Sequence, residues 1–175
     1  MNSFAPDATI VLVHGARADG SCWQKVILLL RKEGLKVTCA PIPLTSMTED
    51  IAALQRAVER TSGRVVLVGH AYGGAVIAGP NDSRVIALVY VAALAPAQGE
   101  TVADVFYRAK PHPKAPDLEP DAHGFIWMPE GGFTRAVAHN ASPDQTAIME
   151  SVQRRIALKS IQEKALAPAW KTKLS

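Results

Sequence analysis

Short apolar runs, spaced by segments of helical period, set the limits on how this chain can fold. Ala8–Val13, Val65–Val68 and Val85–Val91 are unbroken apolar runs rich in β-branched residues, or close to it. Strands with so little alternation are those covered on both faces. Leu35–Ala40 reads as a further strand, stopped by Pro41 and Pro43. Between the first two strands, Trp23, Val26, Ile27 and Leu30 recur at i, i+3, i+4 and i+7, which predicts a helix over 21–33 with one apolar face. Ser21 and Gln24 have capping-box spacing there, and Gly34 suits the C-cap. Ser46-Met47-Thr48-Glu49 opens a second helix, with Ile51, Leu54 and Val58 on its buried side. A short helical segment after residue 74 is broken by Gly79-Pro80. Strands alternating with helices predict right-handed βαβ crossovers: an α/β fold, a mainly parallel sheet with helices on both faces.

The pattern changes after Pro96. Pro111, Pro113, Pro116 and Pro120 predict an extended loop. Phe125, Trp127 and Phe133 follow in irregular context. Ser142-Pro143-Asp144-Gln145 then predicts a long helix with an apolar stripe of Ile148, Val152 and Ile156. The expected organisation is a core over 1–96, a cap or lid excursion over 97–168, and a return to the core over 169–175. A chain of 175 residues, 48% hydrophobic and 20% charged, suffices for one domain. Its net charge of +3 comes from scattered cations (Lys25, Arg31, Lys32, Arg60, Arg64, Arg154 and Arg155), not from a basic stripe interleaved with aromatics. That argues against a nucleic-acid partner. Cys22 and Cys39 read as small buried hydrophobes with no metal-ligand spacing around them. No secretory leader is evident, and Ile10–Val13 is too short to span a bilayer. The expectation is a cytoplasmic protein without cofactor, metal or membrane contact.

Chemistry is suggested at one turn. Val65-Val66-Leu67-Val68 runs into Gly69-His70-Ala71-Tyr72-Gly73-Gly74, a strand, a tight turn and a helix start. This is the setting of the G-x-S-x-G nucleophile elbow, in which small residues let strand and helix backbones approach closely. The elbow presents one side chain beside backbone N–H groups able to stabilise an oxyanion. Here that side chain is the methyl group of Ala71. A second segment, Val13-His14-Gly15-Ala16, follows the first strand, where the fold places its other oxyanion loop.

On these stretches the chain resembles the small α/β-hydrolases related to plant methylesterases and hydroxynitrile lyases, and most closely their bacterial relatives. Further matching stretches are Asp19-Gly20-Ser21, Pro43-Leu44-Thr45-Ser46, Leu88–Ala93, Ala95-Pro96 with Gly99-Glu100, and Ala169–Lys173. The resemblance implies a central sheet with a small helical cap over a pocket for a small ester or carbonyl ligand. It also implies oxyanion donors at the backbone N–H groups of Ala16 and Tyr72, with Gly69, His70 and Gly73 shaping the elbow. The implied reaction is hydrolysis of small esters or, in some members, cyanohydrin cleavage.

Two departures bear on activity. Ala71 has no hydroxyl, and the family's acid and histidine belong to strands beyond the position of Ser175. Loss of the serine alone costs such an enzyme on the order of 10⁶ in kcat. Triad catalysis is therefore not expected of this chain. Three readings follow: a hydrolase-family chain whose active form this sequence does not fully represent, such as a truncated remnant; a catalytically silent small-molecule-binding protein; or an engineered nucleophile knockout. Elsewhere, His14 and His70 are expected to shape their turns, His123 and His139 to be solvated, and Glu100 to have no histidine to orient. Ser21 is assigned to its cap, and Cys22 lacks a base. Tyr72 is expected to act mainly through its backbone. An open edge on the fourth strand predicts self-association.

Overall fold

The computed structural model describes residues 8–80 and 82–175. Four parallel strands make the main sheet: β1 (Thr9–Val13), β2 (Lys36–Cys39), β3 (Val65–His70) and β4 (Val85–Val91), in the order β2-β1-β3-β4. β1 and β3 are the central pair, and their burial on both faces accounts for their apolar runs. Helix α1 (Gln24–Lys32) covers one face, where Ile27 and Leu30 pack toward Leu12, Trp23 and Val37. Helices α2 (Met47–Glu59) and α3 (Gly73–Ile77) cover the other, where Leu54, Val58, Val76 and Ile77 meet Val11, Val13, Val65 and Leu67.

Local chemistry explains several boundaries. The Ser46 hydroxyl accepts from the Glu49 N–H at 3.1 Å and starts α2 as the sequence predicts. The start of α1 differs. Asp19, not Ser21, is the cap, and its carboxylate accepts both the N–H and the hydroxyl of Ser21, at 2.8 and 2.5 Å. A 3₁₀ turn over Gly20–Trp23 precedes α1. Of the apolar face predicted for that helix, Trp23 is buried, Ile27 and Leu30 are half-buried against the core, and Val26 is exposed; Leu28 and Leu29, outside that face, are exposed too. Cys22 is exposed and Cys39 half-buried, so the expected burial of the two thiols does not hold.

Residues 97–168 hold α4 (Val102–Phe106), a two-stranded antiparallel sheet of β5 (Phe125–Ile126) and β6 (Ile156–Ala157), a π-helical turn over Phe133–Val137, α5 (Pro143–Val152) and α6 (Leu158–Gln162). The capping box at Ser142 and Gln145 forms in both directions. The predicted stripe on this helix does not. Gln153 leaves α5 with extended backbone, so Ile156 belongs to β6, and Ile148 and Val152 face solvent. The segment is therefore of mixed α and β structure, not purely helical.

The outer edge of β4 is not bare. The Leu88 N–H donates to the Leu174 carbonyl at 2.8 Å, and Ala87 bridges Leu174 in parallel. Ile86, Val89 and Val91 remain exposed. Among the described residues no helix is long and apolar enough to cross a membrane.

Candidate functional site

The strand order reverses between β1 and β3: the chain leaves β1 for β2 on one side and β3 for β4 on the other. Open α/β sheets bind ligands beyond the carboxyl ends of their strands at such a switch point. The loop His14-Gly15-Ala16 and the turn at Ala71 both lie there, because Val13 pairs with Gly69 at the top of the central strands.

Ala71 occupies the left-handed region at φ 49°. That conformation is strained for a residue with a Cβ, and strain of this kind persists where surrounding structure enforces it. Three contacts do so here. The Ala71 carbonyl accepts the N–H groups of Gly74 and Leu94, at 3.1 and 3.0 Å, and its N–H reaches the Val91 carbonyl at 3.4 Å. The glycines allow the approach. A Cβ on Gly69 would lie 2.5 Å from the Gly73 carbonyl oxygen, and one on Gly73 would lie 2.6 Å from that of Val13. The loop after β1 closes in as well: a Cβ on Gly15 would sit 3.1 Å from the Ala71 methyl. The backbone N–H groups of Ala16 and Tyr72 have no acceptor among the described residues. Helix α3, only five residues long, adds little dipole, so the attraction for an oxyanion rests on individual amides such as these two.

Tyr72 does more than its sequence position suggests. Its ring is buried, and its hydroxyl donates to Asp50 Oδ2 at 2.6 Å. Asp50 is fully buried, and its Oδ1 accepts the Leu44 N–H at 2.6 Å. Burial pushes the Asp50 carboxyl up to about 6, against the bonds from Tyr72 and Leu44, which favour its ionised form. Burial first, and the neighbouring carboxylate second, raise the Tyr72 phenol well above its ordinary value. The residue after Ala71 is thereby anchored to the first turn of α2. Sequence reasoning missed Asp50, which lies in the first turn of α2; only the partner 22 residues away gives it a role.

The remaining candidates separate. His14 is buried, its Nδ1–H donates to the Gly15 carbonyl at 2.9 Å, and its Nε2 has no partner among the described residues. Burial lowers its pKa, as it does that of His70, whose ring meets the edge of Trp23 at 6.2 Å. Both histidines line their turns with no carboxylate hydrogen-bonded to them among the described residues. His123 and His139 are exposed. Glu100 accepts from the Ala97 N–H and from Arg108, at 2.8 and 2.6 Å, which commits it to local structure. Although Cys22 is exposed as a residue, partial desolvation of its thiol, with Cys39 and Asp19 nearby, pushes it up to about 12, so it is not activated. Phe133 is buried, Phe125 lies under the Arg155 guanidinium at 4.2 Å, and the Trp127 indole N–H donates to Asp121 at 3.2 Å. No group of three or more His, Cys, Asp or Glu side chains forms a metal cradle among the described residues.

Comparison with known proteins agrees with this geometry. The model of the alpha/beta hydrolase family matches residues 10–175. A carbendazim hydrolyzing esterase of Nocardioides sp. is 31% identical over 121 residues, which cover 59% of this chain and 49% of that protein. The chain matches half or less of the length of the curated relatives. Among solved structures, a tomato methylketone synthase I variant complexed with beta-ketoheptanoate superposes with a TM-score of 0.78 at 17% identity, covering 94% of this chain and 74% of that one. A methylesterase from Arabidopsis does so at 0.71 and 19% identity, covering 92% and 72%. These two structural likenesses speak to the fold.

Proposed function

The chain belongs to the alpha/beta hydrolase family, and from that premise we propose that its switch-point site binds a small ester or carbonyl compound without acyl transfer at Ala71. The ligand's carbonyl oxygen sits against the free N–H groups of Ala16 and Tyr72, the two donors that would hold an oxyanion in a serine hydrolase. The observation that carries this reading is the elbow itself: Ala71 is held at φ 49° by its hydrogen bonds and the close-packed glycines, with the conformation intact and the hydroxyl absent. Turnover lacks its other parts as well. Among the described residues His70 and His14 contact no carboxylate, Glu100 is engaged by Arg108, and Asp50 by Tyr72. The carbendazim hydrolyzing esterase among the relatives suggests the ligand class. On this reading the protein is an esterase-like binder that works in the cytoplasm.

The test pairs binding with turnover. Thermal stabilisation of this chain is measured against short-chain carboxylic esters and their acids, and hydrolysis of p-nitrophenyl acetate is followed for this chain and for Ala71→Ser. A saturable rise in Tm with no hydrolysis by either protein is expected. Hydrolysis by the unmodified chain, or no rise with any compound, overturns the proposal. Full activity of Ala71→Ser would show that the groups around the elbow already suffice for catalysis and that their roles are misassigned here.

A further inference from the structure

A wide groove lies away from the elbow, along the outer edge of β2. It has a volume of about 1250 Å³, with β2 as its floor, the end of α1 on one side and α2 on the other. Four cations line it, Arg31, Lys36, Arg56 and Arg60, and no acidic residue does. All four are exposed, and none has an ion pair or hydrogen bond among the described residues. In the sequence these charges are scattered; the fold gathers them around one groove.

The floor adds a second kind of recognition. Among the described residues β2 pairs only with β1. The Ala40 N–H donates to Leu12, and the alternation of a parallel ladder therefore turns the N–H and C=O groups of Val37 and Cys39 to the open edge. An unpaired edge of this kind is a template for an added strand.

We propose that this groove takes up an extended acidic peptide segment of a partner protein, which adds to the edge of β2 through its backbone and meets the four cations with its carboxylates. Nucleic acid fits less well, because no aromatic side chain lines the groove to stack a base. A second copy of this chain fits less well still. Pairing β2 with β2 would place Arg31, Lys36, Arg56 and Arg60 against their own equivalents, and like charges across an interface oppose association.

The experiment uses the whole chain and an end-capped, fluorescein-labelled peptide of alternating glutamate and valine. Binding is read by anisotropy, and amide hydrogen exchange is followed with and without unlabelled peptide. Three results are expected: saturable binding that weakens with added salt, slowed exchange at Val37 and Cys39, and about tenfold or greater loss of affinity in Arg56→Glu/Arg60→Glu. Arg56 falls on the exposed side of α2 and Arg60 is its exposed C-cap, and an unchanged circular dichroism spectrum verifies that the variant is folded. The corresponding lysine–valine peptide is expected not to bind. Absence of binding, binding without protection at Val37 and Cys39, or equal affinity for a single-stranded oligonucleotide of the same charge overturns the proposal. None of these readouts depends on the site at Ala71.

Discussion

Gly73→Ala isolates what holds the elbow against the loop after β1. Gly73 opens α3, and in an unconstrained helix the added methyl would gain up to about 1 kcal/mol in propensity. The structure predicts the opposite sign. A Cβ at this position would lie 2.6 Å from the Val13 carbonyl oxygen and 2.8 Å from that of His14, whereas ordinary contact begins at 3.4 Å. Both obstacles are backbone, so no rotamer change relieves them. The loop or the helix must shift by several tenths of an ångström, through the segment that carries Gly15 and Ala16. Overpacking of this kind costs roughly 1–3 kcal/mol, and a backbone clash belongs near the upper end. Subtracting the propensity gain leaves a net loss of about 2 kcal/mol. Urea unfolding followed by far-UV circular dichroism should show a lower midpoint at unchanged slope, with a drop in Tm of about 4–8 °C. Gly34→Ala is the control: nothing lies within 4 Å of its Cβ, and its φ of 77° leaves only backbone strain. A Gly73→Ala protein as stable as its parent, or more so, would refute the close-packing account of the elbow.

Other outcomes follow from the same structure. Asp50 has a raised pKa in the folded chain, so the folded state holds its proton more tightly than the unfolded state, whose pKa is near 3.8. Its contribution is fully present below about pH 4 and is lost as pH rises toward about 6, a change on the order of 3 kcal/mol that should appear in pH-dependent urea midpoints and flatten in Asp50→Asn. Tyr72→Phe leaves Asp50 Oδ2 without its donor and should cost about 1–3 kcal/mol by denaturant titration; a loss below about 0.5 kcal/mol would detach the pair from the stability of the turn. Ser142→Ala removes one half of a formed capping box and should lower stability by about 1 kcal/mol, read as a reduced Tm. Self-association should run through exposed apolar side chains on α1 and β4. Leu29→Glu with Val89→Lys is expected to shift sedimentation toward monomer, and an unaltered distribution would place the contact elsewhere.

The main sheet was readable because its central strands are covered on both faces and carry apolar runs, and because Ser46 and Ser142 use their hydroxyls locally. The elbow was readable because close backbone approach requires small residues at fixed offsets. What escaped the sequence depends on geometry that spacing does not encode. Asp19 and Ser21 both suit a cap, and the choice between them rests on the 3₁₀ turn that precedes α1. Ile156 continues the helical period of Ile148 and Val152, yet Gln153 turns the backbone extended and carries it into a strand. The partnership of Asp50 with Tyr72 and the gathering of Arg31, Lys36, Arg56 and Arg60 join residues distant in sequence, which a single sequence cannot pair.

The order β2-β1-β3-β4 has a consequence for how the sheet is assembled during synthesis. Of these four strands β1 emerges before the others and becomes an inner one; β2 joins one of its margins and β3 the other, β4 follows on β3, and Leu174 reaches the far side of β4 after them. No strand has to be threaded between two that are already paired. Parallel pairing is slow to form because each crossover must close a long loop, and partly paired sheets are vulnerable to aggregation while they wait. A sheet that grows outward from β1 shortens that wait, since each of the other three strands meets a finished margin as it leaves the ribosome.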